Sequence, residues 1–310
     1  MFTLLLEYLE KHIDSGLQEM PPVFIKSIEI LRELFNLNDN ALKLIDHIYI
    51  FSTFKSVWAH NGHDIILHGF AGRDVLATIL QMSRVELIDA IDTLEDLCIL
   101  QVTNTTMEFS SENIIRLWEI PEETKAHELF CRSLVGETLP LSDFTIPKND
   151  LNFLVNLLKT KGPKAHHILI YGPPERGKST FVRSLSKYLG VKAWTVLPEN
   201  STDANFKRRI SLNVCVNRAS CHPGSLVVVD EAENLLTSNS VLSDKIHSTR
   251  VGSMNFLKSP GGSFIWIVNY PERIDATVKR RFGFSMYFGS LSAKIATAAV
   301  EGNSKPSWSR

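Results

Sequence analysis

Cysteine is scarce in this chain, with four among 310 residues. Cys98, Cys131, Cys215 and Cys221 are scattered without the spacing of metal ligands, although His222 follows the last of them. This pattern argues against a disulfide framework and against a zinc site. It is typical of reduced thiols inside a cell, so we expect a cytoplasmic protein.

Long apolar runs are also lacking. No stretch of the sequence is long enough to span a bilayer, so no membrane association is expected. Residues 1–9 are apolar at helical spacing but have no basic lead and no small-residue cleavage site, which predicts a helix and not a signal peptide. The length suits two domains, and 44% hydrophobic residues are ordinary for a globular chain.

An overall excess of either charge is absent, since the formal net charge is −1, but the two halves differ sharply. Residues 1–150 carry 11 Lys+Arg and 24 Asp+Glu, whereas residues 151–310 carry 22 and 10. Part of the basic excess suits a phosphate-binding site. The remainder predicts that the acidic half docks on the basic half, within one chain or between subunits. Two solvated faces without contact are the alternative.

The most informative stretch is residues 168–180, which read ILIYGPPERGKST. Gly172, Gly177, Lys178 and Ser179 fit the phosphate-binding pattern G-x-x-x-x-G-K-[ST]. A buried strand is predicted before the loop, and a helix with helical apolar spacing is predicted after it. The apolar face of that helix is expected to contain Phe181, Val182, Leu185, Tyr188 and Leu189. A chance match is the alternative, and the strand and helix on either side disfavour it.

This loop implies a specific way of holding phosphate. Its backbone N–H groups and the helix N-terminus would cradle phosphate oxygens. Lys178 would reach the β- and γ-phosphates, and the Ser179 hydroxyl would bind Mg²⁺.

A second apolar run, Leu226–Val229, ends in Asp230 and Glu231. Its β-branched residues, without alternation, predict a strand buried on both faces of a parallel sheet. Ligands bind beyond the carboxyl ends of such strands, so both carboxylates are expected beside the phosphate loop. We assign Asp230 to Mg²⁺, directly or through water, and Glu231 to polarising the attacking water. An ordinary acidic pair at a helix N-terminus is the alternative.

Two later segments carry polar residues that suit nucleotide hydrolysis. The apolar run 264–268 ends in Asn269, whose amide would orient the lytic water, although asparagine is also a common strand terminator. Asp275 is expected to cap a short helix that ends in Arg280 and Arg281. A guanidinium from this helix would neutralise transition-state charge in a neighbouring subunit. A basic helix end that complements the helix dipole is the alternative.

With these four elements in this order, residues from about 150 to 290 resemble the AAA+ ATPases. More narrowly, they are similar to the AAA family that includes katanin, spastin and the membrane AAA proteases. Residues 172–180 match Walker A, residues 226–231 match Walker B, Asn269 falls at sensor 1, and residues 274–282 match the end of the second region of homology. The resemblance implies a P-loop α/β core of parallel strands with flanking helices, and arginine fingers at the two adjacent arginines.

Three features depart from that family's pattern. Glu175-Arg176 stands where Gly-Thr is usual, and a carboxylate facing triphosphate would weaken binding, so Glu175 is expected to point outward. Residues 197–209, at the place of the substrate-gripping pore loop, contain one aromatic, Phe206, which does not support polypeptide threading. Only 22 residues follow Phe288, too few for the family's helical lid.

The N-terminal half predicts helices and then a winged-helix-like module, as in some bacterial AAA ATPases that the whole chain resembles. Residues 1–60 contain two amphipathic stripes that suit core packing. Residues 71–118 combine a short helix over 74–80, a capping box at 83–86, a helix over Arg84–Asp96 and a hairpin across 103–106. That second helix has one base and five acids, so we expect protein docking or oligomerisation and not DNA contact.

The chain is thus divided into five segments. A helical region (1–70) and the winged-helix-like module (71–118) come first. A linker (119–150) is expected to pack along the AAA ATPase core (151–290), and residues 291–310 are expected to form a polar tail in place of the lid.

The predicted site residues form three groups. The catalytic residues are Glu231, Asn269, Arg280 and Arg281, and the metal ligands are Ser179 and Asp230. The nucleotide-binding residues are Gly172, Pro173, Pro174, Glu175, Arg176, Gly177, Lys178, Ser179, Thr180 and Asp230.

The expected activity is Mg²⁺-dependent ATP hydrolysis that drives remodelling of a protein partner. We expect a homo-oligomeric ring, a hexamer if the full-length protein has a lid. Two alternatives stay open: a nucleotide-binding scaffold with little hydrolysis because the lid is missing, and a loader or initiator ATPase acting on nucleic acid.

Overall fold

The computed structural model describes residues 22–59, 70–102, 107–117, 123–160, 166–197, 204–222, 224–236 and 263–289. The predictions for residues 1–21, for the turn 103–106 and for the tail 291–310 lie outside these ranges. Residues 198–203, in the segment expected to hold a pore loop, also lie outside these ranges, and the structure does not describe the Phe206 side chain.

The described α-helices, in chain order, are α1 (Pro22–Phe35), α2 (Asp39–Ala59), α3 (Phe70–Ile79), α4 (Arg84–Asp96), α5 (Glu112–Arg116), α6 (Glu123–Glu128), α7 (Lys148–Lys159), α8 (Lys178–Leu189), α9 (Ala204–Ser220), α10 (Glu233–Leu236) and α11 (Ala276–Lys279). The strands are β1 (Leu100–Val102), β2 (Met107–Phe109), β3 (Cys131–Ser133), β4 (His166–Tyr171), β5 (Ala193–Val196), β6 (Leu226–Val229), β7 (Ser263–Val268) and β8 (Phe284–Tyr287). Short 3-10 helices lie at Leu141–Asp143 and Pro271–Arg273.

The main sheet has six strands in the order β3-β5-β6-β7-β4-β8. Five of them run parallel, and β3 pairs antiparallel with β5 at one edge. Every residue of β6 is buried, as expected for a parallel strand covered on both faces. The predicted α/β core of parallel strands with flanking helices is therefore confirmed.

Alternate residues of the sheet belong to two different apolar cores. Val227 and Val229 of β6 pack in one core together with residues of α1, α2 and α4, whereas Leu226 and Val228 pack in a second core with residues of α7 and α8. This division follows from the alternation of side chains along a strand. One face of the sheet therefore shares a continuous core with the N-terminal helices.

Strand β3 lies inside the segment 119–150, for which the sequence predicts only a linker. Cys131 is paired with Val196 and Ser133 with Trp194. A run of three residues is too short to show a strand period, so pairing with β5 and not local pattern decides this element. Downstream, the backbone N–H of Leu139 donates to Ser184 Oγ of α8 over 2.8 Å.

Helix α9 connects the N-terminal region to the sheet. Asn213 Nδ2 donates to the carbonyl oxygen of Leu97 over 3.1 Å, and Asn217 Nδ2 donates to that of Leu34 over 3.1 Å. Both carbonyls lie at the carboxyl ends of helices, α4 and α1, where no intrahelical partner is available. The two asparagines are four residues apart and so share one face of α9. The acidic and basic halves thus contact each other within one chain.

The elements of the predicted winged-helix-like module are present. Ser83 Oγ accepts from the N–H of Glu86, and the N–H of Ser83 donates to Glu86 Oε2 over 2.7 Å, which is the expected capping box. Strands β1 and β2 pair antiparallel, with Leu100 opposite Phe109. Helix α3 begins at Phe70, four residues before the predicted start. The winged-helix assignment itself stays a prediction.

One residue of the predicted apolar face of α8 is not buried. Phe181, Val182 and Leu185 are fully buried, but Tyr188 is 62% exposed. Lys159 Nζ lies 5.9 Å from the centre of the Tyr188 ring. At this end of the helix the ring therefore lies near the ammonium of a lysine and stays largely exposed.

Two further findings concern only the described residues. No helix among them combines the length and the apolar character needed to cross a membrane. All four cysteines are free thiols, and only Cys221 is exposed.

Burial changes the pKa of Asp46 in α2 and so makes the stability of the N-terminal region depend on pH. Burial raises the pKa of Asp46 to about 7 and lowers the pKa of the neighbouring His47 to about 4. Between about pH 4 and pH 7 the folded chain holds a proton on Asp46 that the unfolded chain has released. The contribution of Asp46 to stability therefore falls as the pH rises through this window.

Asp46→Asn should accordingly raise the urea midpoint of unfolding more at pH 8 than at pH 5, because the amide cannot ionise. Asp39→Asn on the same helix is the matched control, since the Asp39 side chain is 75% exposed and paired with Arg32. Equal shifts at both pH values for Asp46→Asn would contradict the prediction.

Candidate functional site

Three loops meet at the carboxyl edge of the main sheet, where β4, β6 and β7 end. The N–H of Gly172, after β4, donates to the carbonyl oxygen of Val268 at the end of β7 over 3.2 Å. The N–H of Ala232, after β6, donates to that of Ile267 over 2.9 Å. The phosphate-loop pattern, the acidic pair and Asn269 are therefore brought to one place, as expected for ligands of a parallel sheet.

The backbone of the loop after β4 requires glycine at two positions. Gly172 has φ +149°, and a side chain there would collide with the carbonyl oxygen of Phe288. Gly177 has φ +84° at the N-cap of α8. Glu175 also has a left-handed φ, +60°, which costs a non-glycine residue about 1 kcal/mol. The Glu175 and Arg176 side chains are exposed, as the predicted outward orientation requires.

Lys178, the first residue of α8, is buried beneath the loop and only 4% exposed. Its ammonium donates to the carbonyl oxygens of Gly172 over 2.8 Å and of Pro173 over 2.6 Å. Burial lowers the pKa of Lys178, and the charges of Asp230 and Glu233 oppose that shift. The loop thus already encloses a positive charge at its centre.

Ser179 and Asp230 are in direct contact. The Ser179 hydroxyl donates to Asp230 Oδ2 over 2.5 Å. Two oxygen donors from α8 and from the end of β6 are thereby held side by side. Hydroxyl and carboxylate oxygens are the ligands that Mg²⁺ prefers, so the residues present fit this metal.

Glu231 occupies a strained turn directly after β6. Its φ is +49°, in the left-handed region, and its side chain is exposed. The N–H of Glu231 donates to Asp230 Oδ1 over 2.9 Å. The carbonyl oxygens of both residues accept from the guanidinium of Arg208.

Asn269 is fixed through its backbone by a buried carboxylate. Glu233, in α10, is 6% exposed, and its Oε1 accepts from the N–H groups of Asn269 and of Tyr270, the latter over 3.1 Å. One carboxylate therefore ties the loop after β7 to the turn after β6.

Sequence reasoning missed Arg208 and Glu233 as parts of this site. For Glu233 a signal exists, since it follows the predicted acidic pair within three residues, at the same carboxyl end of the strand. For Arg208 no signal exists, because it is the middle member of a Lys-Arg-Arg run whose neighbours are more exposed. Only its burial in the folded chain distinguishes it.

The structure does not bring Arg280 and Arg281 to this site. The N–H of Gly283, two residues later, donates to the carbonyl oxygen of His167 over 2.9 Å. His167 lies at the start of β4, whereas the phosphate loop begins after its last residue, Tyr171. At about 3.3 Å per residue these points are roughly 13 Å apart. Both arginines are exposed, at the far end of the sheet from the chain's own loop.

The predicted side-chain cap of α11 is wrong. Asp275 occupies the N-cap position, but its side chain makes no capping hydrogen bond. The backbone carbonyl oxygen of Asp275 accepts instead from the N–H groups of Val278 and Lys279, each over 3.0 Å. A four-residue helix is thus closed by backbone bonds alone, with Arg280 as its C-cap.

Comparison with protein families gives one match. Residues 168–290 match the model of the ATPase family associated with various cellular activities (AAA). No curated protein sequence was found to match the chain.

Solved structures offer weaker likenesses. A FIGL-1 AAA domain is 17% identical with a TM-score of 0.41, over 56% of this chain and 62% of that one. The same domain in complex with ADP is 16% identical with a TM-score of 0.41, over 56% and 64%. A structure from work on katanin self-assembly is 17% identical with a TM-score of 0.42, over 60% and 67%. The chain thus spans less than two thirds of the FIGL-1 chains that it matches.

The buried ammonium gives the first test of this site. Lys178→Ala should abolish nucleotide binding, because it removes the one charge enclosed by the loop. Lys187→Ala is the matched control, since Lys187 lies on the same helix but is exposed and bonded to Thr138. Titration with a fluorescent ATP analogue measures both. Equal affinity in Lys178→Ala and the unmodified chain would rule out this role for the loop.

Proposed function

We propose that this chain binds ATP with Mg²⁺ and hydrolyses it, on the premise that residues 168–290, which match the AAA family of ATPases, form a domain of that family. The observation that carries the proposal is the convergence of Lys178, Ser179, Asp230 and Glu231 at one edge of the sheet. These are the ammonium, hydroxyl and carboxylate groups that phosphoryl transfer to water requires.

ATP binding uses the loop after β4 in this proposal. The N–H groups of the loop and the N-terminus of α8 surround the β- and γ-phosphates. Lys178 exchanges its two carbonyl acceptors, those of Gly172 and Pro173, for phosphate oxygens. Because the ammonium is already buried, little of its desolvation cost is left to be met on binding.

Ser179 and Asp230 are the proposed ligands of Mg²⁺. Their oxygens already touch, so no rearrangement of the backbone is needed to present them together. When bound, the metal neutralises charge on the β- and γ-phosphates.

Glu231 is the proposed general base. Its carboxylate follows Asp230 directly and is exposed at the edge where the phosphates would lie. It accepts a proton from the attacking water, and the Asn269 side chain orients that water against the γ-phosphate. Glu233 acts on this step only through the backbone of Asn269.

The arginines require a second subunit. Because Arg280 and Arg281 lie at the opposite end of β4 from the chain's own loop, we propose that they act on the nucleotide of a neighbouring copy. More widely, we propose that the chain forms a homo-oligomer in the cytosol and that this oligomer remodels a protein partner. Helix α4 would be the recognition helix if the N-terminal module bound DNA. It exposes four carboxylates, those of Glu86, Asp89, Asp92 and Asp96. Their negative charge disfavours binding to nucleic acid.

One observation favours a second candidate function, a nucleotide-binding scaffold with little hydrolysis. Glu175 places a carboxylate in the phosphate loop itself, at a left-handed position. A negative charge there opposes closure of the loop over the triphosphate, which turnover requires more than binding does. Turnover by the unmodified chain separates the two functions.

The proposed hydrolysis is tested by Glu231→Gln. This variant should bind ATP and Mg²⁺ with unchanged affinity and lose turnover, since an amide cannot accept the proton while Asp230 still serves the metal. Glu272→Gln, an exposed carboxylate in the turn after Asn269, is the control that should keep full turnover. Phosphate release and ATP titration are measured on all three chains. A Glu231→Gln variant as active as the unmodified chain means that the base has been assigned wrongly.

The action of the arginines between subunits is tested by Arg280→Ala/Arg281→Ala. ATP affinity should be retained while turnover falls, by about 10³-fold or more. Lys279→Ala, the preceding exposed base of α11, should remain active. Turnover per subunit of the unmodified chain should rise with protein concentration. Turnover that is constant from nanomolar to tens of micromolar excludes a finger supplied by a neighbour.

A further inference from the structure

Arg208 is the most deeply buried arginine that the structure describes next to the candidate site. It lies in the first turns of α9 and is 5% exposed. Its Nη1 donates to the carbonyl oxygen of Glu231 over 2.7 Å, and its Nη2 donates to that of Asp230. One planar group thus binds the backbone of both adjacent carboxylate residues at once.

A guanidinium is suited to this place in a way that an ammonium is not. Its Nη1 and Nη2 are held in one plane, so each carbonyl oxygen has its own donor atom, whereas an ammonium such as that of Lys178 reaches two carbonyl oxygens from a single nitrogen. Burial lowers the pKa of Arg208, while the charges of Glu231, Asp230 and Glu233 raise it. Because an arginine keeps its proton under such conditions, the three carboxylates always face a positive charge.

The turn of residues 230–232, to which Arg208 is bonded, is not stable by its own backbone preferences. Glu231 has a left-handed backbone, which a non-glycine residue keeps only when its surroundings impose it. The other bonds of the turn are those from the N–H of Glu231 to Asp230 Oδ1 and from the N–H of Ala232 to the carbonyl oxygen of Ile267. These two bonds fix the N–H groups of Glu231 and Ala232, and Arg208 fixes the carbonyl groups of Asp230 and Glu231.

We propose that Arg208 is a positioning residue for ATP hydrolysis, which holds the backbone of Asp230 and Glu231 so that the Glu231 carboxylate stays aimed at the lytic water. This rests on the proposed function of the site. The two bonds of Arg208 go to backbone carbonyl oxygens, so it acts through the geometry of the turn. Its loss therefore slows the chemical step and leaves binding of the nucleotide, which depends on Lys178 and the loop, in place.

The test compares Arg208→Lys with Arg218→Lys. Arg218 is also on α9, ten residues further and so about 15 Å away along the helix. Its guanidinium carbon lies 4.2 Å from the centre of the Trp194 ring, on the opposite end of the helix from the turn. Both variants make the same substitution in the same helix, and only one of them removes a bond to the turn.

Two kinds of measurement are made on the full chain. The first gives kcat, relative to that of the unmodified chain, and the Kd for ATP. We expect Arg208→Lys to lower kcat roughly ten- to a hundred-fold with Kd within about twofold, because misplacing a catalytic group by about 1 Å has an effect of that size. Arg218→Lys should change neither. The second is amide hydrogen exchange of residues 230–232, which should become faster in Arg208→Lys only.

The exchange measurement keeps this inference separate from the proposed function. If the unmodified chain binds but does not turn over ATP, hydrolysis is wrong, while faster exchange at residues 230–232 in Arg208→Lys still supports the positioning of the turn. Unchanged exchange and unchanged kcat in Arg208→Lys would overturn the inference. So would a Kd that rises as much as kcat falls, since that pattern denotes general disruption of the site.

Discussion

The parallel placement of β7 between β4 and β6 is the constraint on which the candidate site depends. The loop that follows β4 and the turn that follows β6 are each tied to the end of β7 by a backbone hydrogen bond. β7 is buried along its whole length after its first residue, so its position is set by the apolar cores on both faces. Packing far from the chemistry therefore determines the distance between Lys178 and Asp230.

Beneath this edge, three buried charged side chains each form hydrogen bonds with the backbone. Lys178 and Arg208 donate to carbonyl oxygens, and Glu233 accepts from N–H groups. A buried charge that lost such partners would carry a large desolvation penalty, so each of the three fixes the loop or turn that it contacts. The loop after β4, the turn after β6 and the loop after β7 are held in this way, one by each charge.

Helix α9 contacts both the candidate site and the N-terminal helices. Arg208, near its beginning, contacts the turn at the site, and Asn213 and Asn217 contact the carboxyl ends of α4 and α1. The N-terminal helices and one face of the sheet also share a single apolar core. The charge difference between the two halves is therefore accompanied, within one chain, by a contact built from amide–carbonyl bonds and apolar packing.

Local sequence determined the elements whose signals are short-ranged. The glycines of the loop after β4, the apolar runs of β4, β6 and β7, and the capping box at Ser83 all predict their structures, because φ preference, burial on both faces and helix capping depend on near neighbours. Only tertiary structure decided that β3 joins the sheet, that Tyr188 stays exposed, and that Arg208 is buried beneath the acidic pair. Each of these outcomes depends on which residues of distant segments pack against the residue in question, and the spacing of residues along the chain does not specify those contacts.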